Sequence, residues 1–216
     1  MSDVRSKARP PLLLVVSGPS GAGKGTVCGH LKKMMPELRV SVSATTRAPR
    51  PGEVEGMDYF FKSREEFLRM KQNDEFIETA ELFGHYYGTP VDGVRQALSA
   101  GDDILLEIDI QGAMQVKRFF EGAVFVFVVP PTMEILIERI IGRATEDTES
   151  IRRRMAQARQ EMDRISAYDY VIVNDIAEEA ASRICCIMQA ERFRVGRFRL
   201  VDKFWEVKPR KDFGGI

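Results

Sequence analysis

The sequence predicts an α/β fold, a parallel sheet core flanked by helices, and three observations carry that prediction. Apolar runs rich in β-branched and aromatic residues recur at residues 12–17, 103–108, 123–129 and 170–173, the pattern of strands buried on both faces. Segments with helical apolar spacing alternate with them, which implies a sheet wrapped by crossover helices. The first strand runs straight into Gly18-Pro19-Ser20-Gly21-Ala22-Gly23-Lys24-Gly25-Thr26, a strand, glycine loop and helix start that suit a backbone cradle for nucleotide phosphates.

Each element follows from its residues. The loop glycines let amide N–H groups turn inward, and Lys24 brings a point charge to the β- and γ-phosphates. A helix over residues 25–35, stopped by Pro36, aims the positive end of its dipole at the anion. Where the common pattern has Ser or Thr directly after the lysine, this chain has Gly25, and the hydroxyl is delayed to Thr26. Thr26 is thus a candidate either for Mg²⁺ or for a phosphate oxygen, with the ion reached through water. A dinucleotide fold fits worse, because Gly21-x-Gly23 is followed by Thr26 at the sixth position.

A second strand is expected at 39–43. Residues 45–89 then break the rhythm with Pro49, Pro51, Gly52 and Gly56, followed by strand-like pieces around 59–62 and 76–83. They read as an inserted small subdomain. Helices are expected at 91–100, 113–119, 132–141 and 150–166. In the last, Ile151, Met155, Ala158, Met162 and Ile165 form one apolar stripe. Polar residues 142–149, between two helices, read as a mobile cover.

Across 216 residues, 32 Lys and Arg balance 32 Asp and Glu, so no global field draws nucleic acid or an anionic membrane. The cysteines Cys28, Cys185 and Cys186 show no C-x-x-C spacing. A disulfide between the adjacent pair would be strained, which points to a reducing cytoplasm. His30 and His85 are the only histidines and offer no zinc spacing. Residues 1–11 are expected as a short disordered leader, and the apolar run behind them is too brief for a secretory segment. No stretch is long enough to span a bilayer. Residues 196–216 form a tail mixing basic and aromatic residues, Phe204 and Trp205 among them.

More motifs follow the glycine loop: Ser43-Ala44-Thr45-Thr46-Arg47-Ala48-Pro49-Arg50-Pro51-Gly52-Glu53, Asp58-Tyr59, Phe76-Ile77-Glu78, Tyr86-Tyr87-Gly88-Thr89 and Glu107-Ile108-Asp109-x-Gln111-Gly112. Together, over about residues 12–192, they closely resemble guanylate kinase, the ATP:GMP phosphotransferase family. The resemblance implies a P-loop nucleoside monophosphate kinase fold spanning 12–195. Its core is 12–44 and 90–195, a GMP-binding insertion occupies 45–89, and a small lid lies at about 142–150.

The resemblance also implies roles. Lys24, Arg50, Arg143 and Arg154 are the expected catalytic cations. ATP falls to Gly18, Pro19, Ser20, Gly21, Ala22, Gly23, Lys24, Gly25 and Thr26, with Asn174 on the adenine side. GMP falls to Ser43, Arg47, Arg50, Tyr59, Glu78, Tyr87, Gly88, Thr89 and Asp109. Substrates would be ATP and GMP or dGMP, with Mg²⁺ held mainly through phosphates and water. No nucleic acid or membrane partner is expected, and the oligomeric state stays open between monomer and homo-oligomer.

Physical chemistry supports these assignments. Guanidinium groups bind a phosphate monoester bidentately, and phenol hydroxyls complete its oxygens. Guanine presents N1–H and N2–H₂ donors beside O6 and N7 acceptors, so a discriminating pocket sets carboxylates such as Glu78 and Asp109 against the first. Hydroxyls such as those of Ser43 and Thr89 meet the second. Glu107 stands where many family members have Asp, and its role stays open between the base pocket and the waters of Mg²⁺. Taken alone, the Arg152-Arg153-Arg154 run reads as a solvated face. Two alternatives compete: a guanylate-kinase-like scaffold module, which characteristically loses loop or lid residues that this chain keeps, and a related kinase with another acceptor.

Overall fold

The structure, a computed structural model, describes residues 10–82, 84–141, 155–156 and 158–197. Strands β1 (Leu13–Ser17), β2 (Arg39–Val40), β7 (Ile104–Glu107), β8 (Val124–Val129) and β9 (Tyr170–Val173) are all parallel, in the order β2-β7-β1-β8-β9. The chain leaves β1 toward β2 on one side and later crosses from β7 to β8 on the other, so the reversal falls at β1. In open α/β sheets, ligands sit at that crevice, beyond the strands' carboxyl ends.

Strand β1 is apolar at every position up to Ser17 because both of its faces are covered. Leu12, Leu14 and Val16 pack with Val27, Cys28 and Leu31 of helix α1 (Lys24–Met34) and with Ala180, Ala181 and Ile184 of helix α6 (Ala177–Glu191). Leu13 and Val15 face the other way, toward Val94 and Ala97 of helix α3 (Val91–Ala100) and Ala113 and Val116 of helix α4 (Ile110–Phe119). The period-2 pattern thus divides one strand between two cores. Leu14 is fully buried; burying such a side chain contributes about 1.5–3 kcal/mol, enough to fix the strand's register.

A second sheet is built from the irregular region. Strands β3 (Ala44–Thr45), β4 (Phe60–Phe61), β5 (Phe76–Leu82) and β6 (His85–Pro90) pair in the order β4-β3-β6-β5. Helix α2 (Arg64–Gln72) closes it, with Phe67 stacked on Phe76 at 4.5 Å and on Tyr86 at 5.6 Å between ring centroids.

Several expected boundaries move. The strand foreseen at 39–43 ends at Val40, since β2 stays in the parallel sheet and the chain then leaves it, and Ala44 and Thr45 beyond it pair with β4 and β6. The piece foreseen at 76–83 is one arm of the β5/β6 hairpin. Helix α2 was not foreseen. Its N-cap Ser63 accepts from the Glu66 N–H at 3.1 Å, with Glu65 and Glu66 in the first turn, a start signal hidden in a polar stretch. Helix α4 begins at Ile110, three residues before the expected start at 113, because Asp109 caps it.

Helix α5 (Met133–Ile141) precedes a further helical stretch at residues 155–156 and 158–162. That stretch turns at 163–164 into a 3-10 segment, Ile165–Ala167, so the helix expected to reach 166 ends sooner. Ala158 packs on Leu136 and Met133, while Met162 and Ile165 pack on Ile110, Phe127 and Val129. Ile151, Arg143, Arg154, the expected lid at 142–150, residues 1–9 of the leader and residues 198–216 of the tail lie outside the described residues.

Candidate active site

The glycine loop leaves β1 through a position only glycine can occupy. Gly18 has φ +146°, and a Cβ there would lie 2.1 Å from the Val128 carbonyl oxygen. Gly23, at the N-cap of α1 with φ +85°, holds the loop's other end, where a Cβ would meet Asn174 Nδ2 at 2.5 Å. Asn174 is buried beyond β9, and its Nδ2 donates to the Ala22 carbonyl at 2.7 Å. Arg139 of α5 donates from both terminal nitrogens to the Asn174 carbonyl at 3.3 Å. Loop, β9 end and α5 thereby frame a cavity of about 390 Å³ lined by Gly21, Gly23, Thr26, Arg139, Asn174 and Asp175.

Lys24 folds back along the loop, donating from Nζ to the Gly18 carbonyl at 2.7 Å and the Pro19 carbonyl at 3.1 Å. Burial pulls its pKa below the ordinary lysine value, and Glu107, Glu161 and Asp109 oppose that shift. The charges of three carboxylates therefore act on the loop cation. Glu107, at the end of β7, lies against Gly25, whose Cβ would stand 3.4 Å from its Oε1. That sets Glu107 on the phosphate-loop side. Glu161 accepts from the Ser20 N–H at 3.4 Å.

The second cluster lies on the other sheet. Arg47 donates to both Glu53 carboxylate oxygens at 2.8 and 3.0 Å and lies over the Tyr59 ring at 5.3 Å. Tyr59 meets Tyr87 edge-on, with centroids 6.1 Å apart. Glu53 also accepts from the Arg50 backbone N–H at 2.7 Å. The Arg47 guanidinium holds the Glu53 carboxyl below the ordinary glutamate value. Tyr59 is pushed upward by burial and by Glu107. Arg50 itself is exposed. Glu53 thus orients Arg47 by accepting from its Nη2 with both carboxylate oxygens, and ties the loop through the Arg50 N–H.

A third group is a carboxylate pair, Glu78 buried and Asp109 half-buried. Glu78 on β5 is 4% exposed and accepts from the Thr89 hydroxyl at 2.7 Å. Thr89 lies opposite it on β6. Burial is the main reason its pKa is pushed up to about 7, with the nearby Asp109 charge adding to it. Asp109 caps α4, accepting from the Gly112 N–H at 2.9 Å and the Gln111 N–H at 3.2 Å. Burial raises its pKa too, against those N–H groups. The carboxylates meet over Gly112, where a Cβ would lie 2.2 Å from Glu78 Oε2 and 3.2 Å from Asp109 Oδ1. Gly88 is required by packing, as its Cβ would stand 2.9 Å from the Phe76 ring. Ser43, half-buried, precedes β3 and accepts from the Phe60 N–H through its carbonyl at 2.9 Å.

A guanylate kinase family model matches residues 10–191, which takes in the phosphate loop and both sheets. The chain belongs to the guanylate kinase family. It is 53% identical over 86% of its length to the guanylate kinase of Desulfitobacterium hafniense, covering 93% of that protein. With the Halalkalibacterium halodurans guanylate kinase it shares 49% over 91% of its length and 95% of the relative. The crystal structure of guanylate kinase from Anaplasma phagocytophilum superposes with TM-score 0.76 at 39% identity, covering 93% of this chain and 95% of that one. As a guanylate kinase the chain is a nucleoside monophosphate kinase that transfers phosphate from ATP to GMP.

Among the residues expected from sequence, the fold brings together the loop 18–26 with Asn174, the Arg47, Tyr59 and Tyr87 cluster, and the Glu78, Thr89 and Asp109 pocket. Arg143 and Arg154 lie outside the described residues. Sequence reasoning missed how Arg139 and Glu161 support the site, because each acts through a partner distant in sequence, and missed the local pairing of Glu53 with Arg47, which only the turn of the loop between them creates.

Proposed function

We propose residue roles for the transfer of the ATP γ-phosphoryl group to GMP or dGMP. The observation that carries them is the set of buried Glu78 and Thr89 with half-buried Asp109, whose carboxylates suit the N1–H and N2–H₂ edge of guanine. In this reading Ser43 and Thr89 meet the acceptor edge, the Thr89 hydroxyl turning from Glu78 to do so once the base takes up the carboxylate, Arg47, Arg50, Tyr59 and Tyr87 hold the GMP phosphate, and Gly88 shapes the pocket wall. The insertion 45–89 is the GMP-binding unit, and the lid at about 142–150 covers the transfer.

The reaction forms a bond from a GMP phosphate oxygen to the γ-phosphorus of ATP and breaks the bond to the β-phosphate oxygen, which leaves on ADP as an anion. The attacking phosphate is already largely ionised near neutral pH, since its second pKa is about 6, and it needs no protein base. Loop amides and Lys24 hold the β- and γ-oxygens, and Arg50, Arg143 and Arg154 neutralise charge spreading over the transferred group. A closed lid keeps water from accepting the phosphoryl group.

Mg²⁺ fits the donors present. Glu107 beside Gly25 and the exposed Thr26 hydroxyl would offer it hard oxygen atoms, directly or through water, and no group of three or more acidic, His or Cys residues that would form an all-protein cage occurs among the described residues. When bound with ATP, the ion supplies charge neutralisation at the phosphates. Unpaired Cys28, Cys185 and Cys186 suit a reducing cytoplasm.

The test is kinetic. Arg143→Ala and Arg154→Ala are each expected to lower kcat at least a hundredfold, roughly the loss of one charge-stabilising donor, while GMP affinity by calorimetry changes less than threefold. Unchanged kcat in either variant removes that arginine from the reaction.

A further inference from the structure

Strand β5 is an edge strand, paired on one side with β6. Its other side is not left open. The carboxamide of Gln115, half-buried on α4, accepts from the Thr79 N–H through Oε1 at 3.1 Å and donates from Nε2 to the Thr79 carbonyl at 2.7 Å. Those two bonds are the exchange that a neighbouring strand would offer. The second Nε2 hydrogen reaches the Gln111 carbonyl one turn earlier at 3.3 Å. The amide orientation is fixed by this network, because reversing it would set donor against donor and acceptor against acceptor.

The register gives this clamp its consequence. Thr79 follows Glu78 directly on β5, and Gln115 lies one turn along α4 from Gly112 and two from the Asp109 cap. The Glu78 carboxylate rests over Gly112 in a gap that a single methyl group would fill. The separation of Glu78 from Asp109 is therefore set where β5 is tied to α4, by the packing of Ile77 on the cluster that holds Ala113 and Val116 and by the hydrogen bonds of Gln115. Resting on the base-pocket reading above, we propose that Gln115 is a positioning residue for guanine recognition. It extends the edge of β5 with a side-chain amide, so that a carboxylate from each sheet's territory meets the base at fixed spacing.

The test substitutes Gln115→Met, which keeps approximate length and apolar packing but has neither strong donor nor strong acceptor. KM for GMP is expected to rise at least tenfold and the GMP-over-AMP ratio of kcat/KM to fall at least tenfold, while KM for ATP stays within twofold. Amide exchange at Thr79 in the folded variant is expected to speed at least tenfold, a readout independent of activity. Wild-type GMP kinetics with wild-type selectivity, or parallel rises in both KM values, would overturn the proposal. Should the methionine variant fail to fold, Gln115→Glu carries the same test, because it keeps an acceptor for the Thr79 N–H and opposes the Thr79 carbonyl with an oxygen. Wild-type protein run in parallel separates the two ideas: failure of the parent to favour GMP over AMP overturns the pocket, while Thr79 exchange still reports on the clamp.

Discussion

Glu78 concentrates the conflict between stability and function in one side chain. Its carboxyl is pushed from the ordinary 4.5 to about 7 by burial, so the folded protein binds this proton more tightly than the unfolded chain does. The fold has that advantage at low pH and loses it as pH rises from 4.5 to 7, at a total cost on the order of 3 kcal/mol. Glu78→Gln is therefore expected to flatten that part of the stability profile and to raise stability near pH 8, measured by urea unfolding at pH 5 and 8. The same variant should weaken GMP binding at least a hundredfold, since guanine's donors lose their charged acceptor. Binding of GMP to the parent should also release a proton through Glu78 below pH 7, detected by calorimetry in buffers of different ionisation enthalpy, and the glutamine variant should lack that component. A stability profile identical in parent and variant would mean that Glu78 binds its proton equally well in the folded and unfolded chain.

At the scale of elements, the site is held by ties between segments far apart in sequence. Asn174, 152 residues from Ala22, secures the phosphate loop with a buried bond, and Arg139 secures Asn174. Asn174→Ala leaves the Ala22 carbonyl unpaired, at a cost of about 1–3 kcal/mol. It is expected to raise KM for ATP several-fold with KM for GMP unchanged, checked by denaturant unfolding and steady-state kinetics. The strands β1, β7 and β8 were legible because double-sided burial writes itself as continuous apolar runs, whereas β9, equally apolar in sequence, is an edge strand that leaves Val171 and Val173 exposed. Helix α2 was not, since only Phe67 of its residues is buried and its remaining sequence is largely charged. The break between β2 and β3 was hidden for another reason. The apolar pattern records burial, and both strands are two residues long, too short to show which sheet each joins.

For the whole molecule, two sheets meet where α4 and β5 touch, and each brings its own half of the chemistry. The parallel sheet presents the phosphate loop at the reversal beside β1, and the second sheet presents the Arg47 cluster and Glu78. The candidate residues were legible from sequence because their motifs are contiguous. Their mutual support was not: the Glu53 pair with Arg47, the Gln115 tie to Thr79 and the approach of Glu107 to Gly25 arise only on folding. Equal counts of acidic and basic residues leave no long-range field to favour one nucleotide, so selectivity must come from short-range contacts in the pocket. The most direct measurement is kcat/KM for GMP against AMP, at saturating ATP and Mg²⁺ in a coupled ADP assay. A preference for GMP on the order of 10⁴-fold is the predicted result, and comparable turnover of AMP and GMP would contradict it.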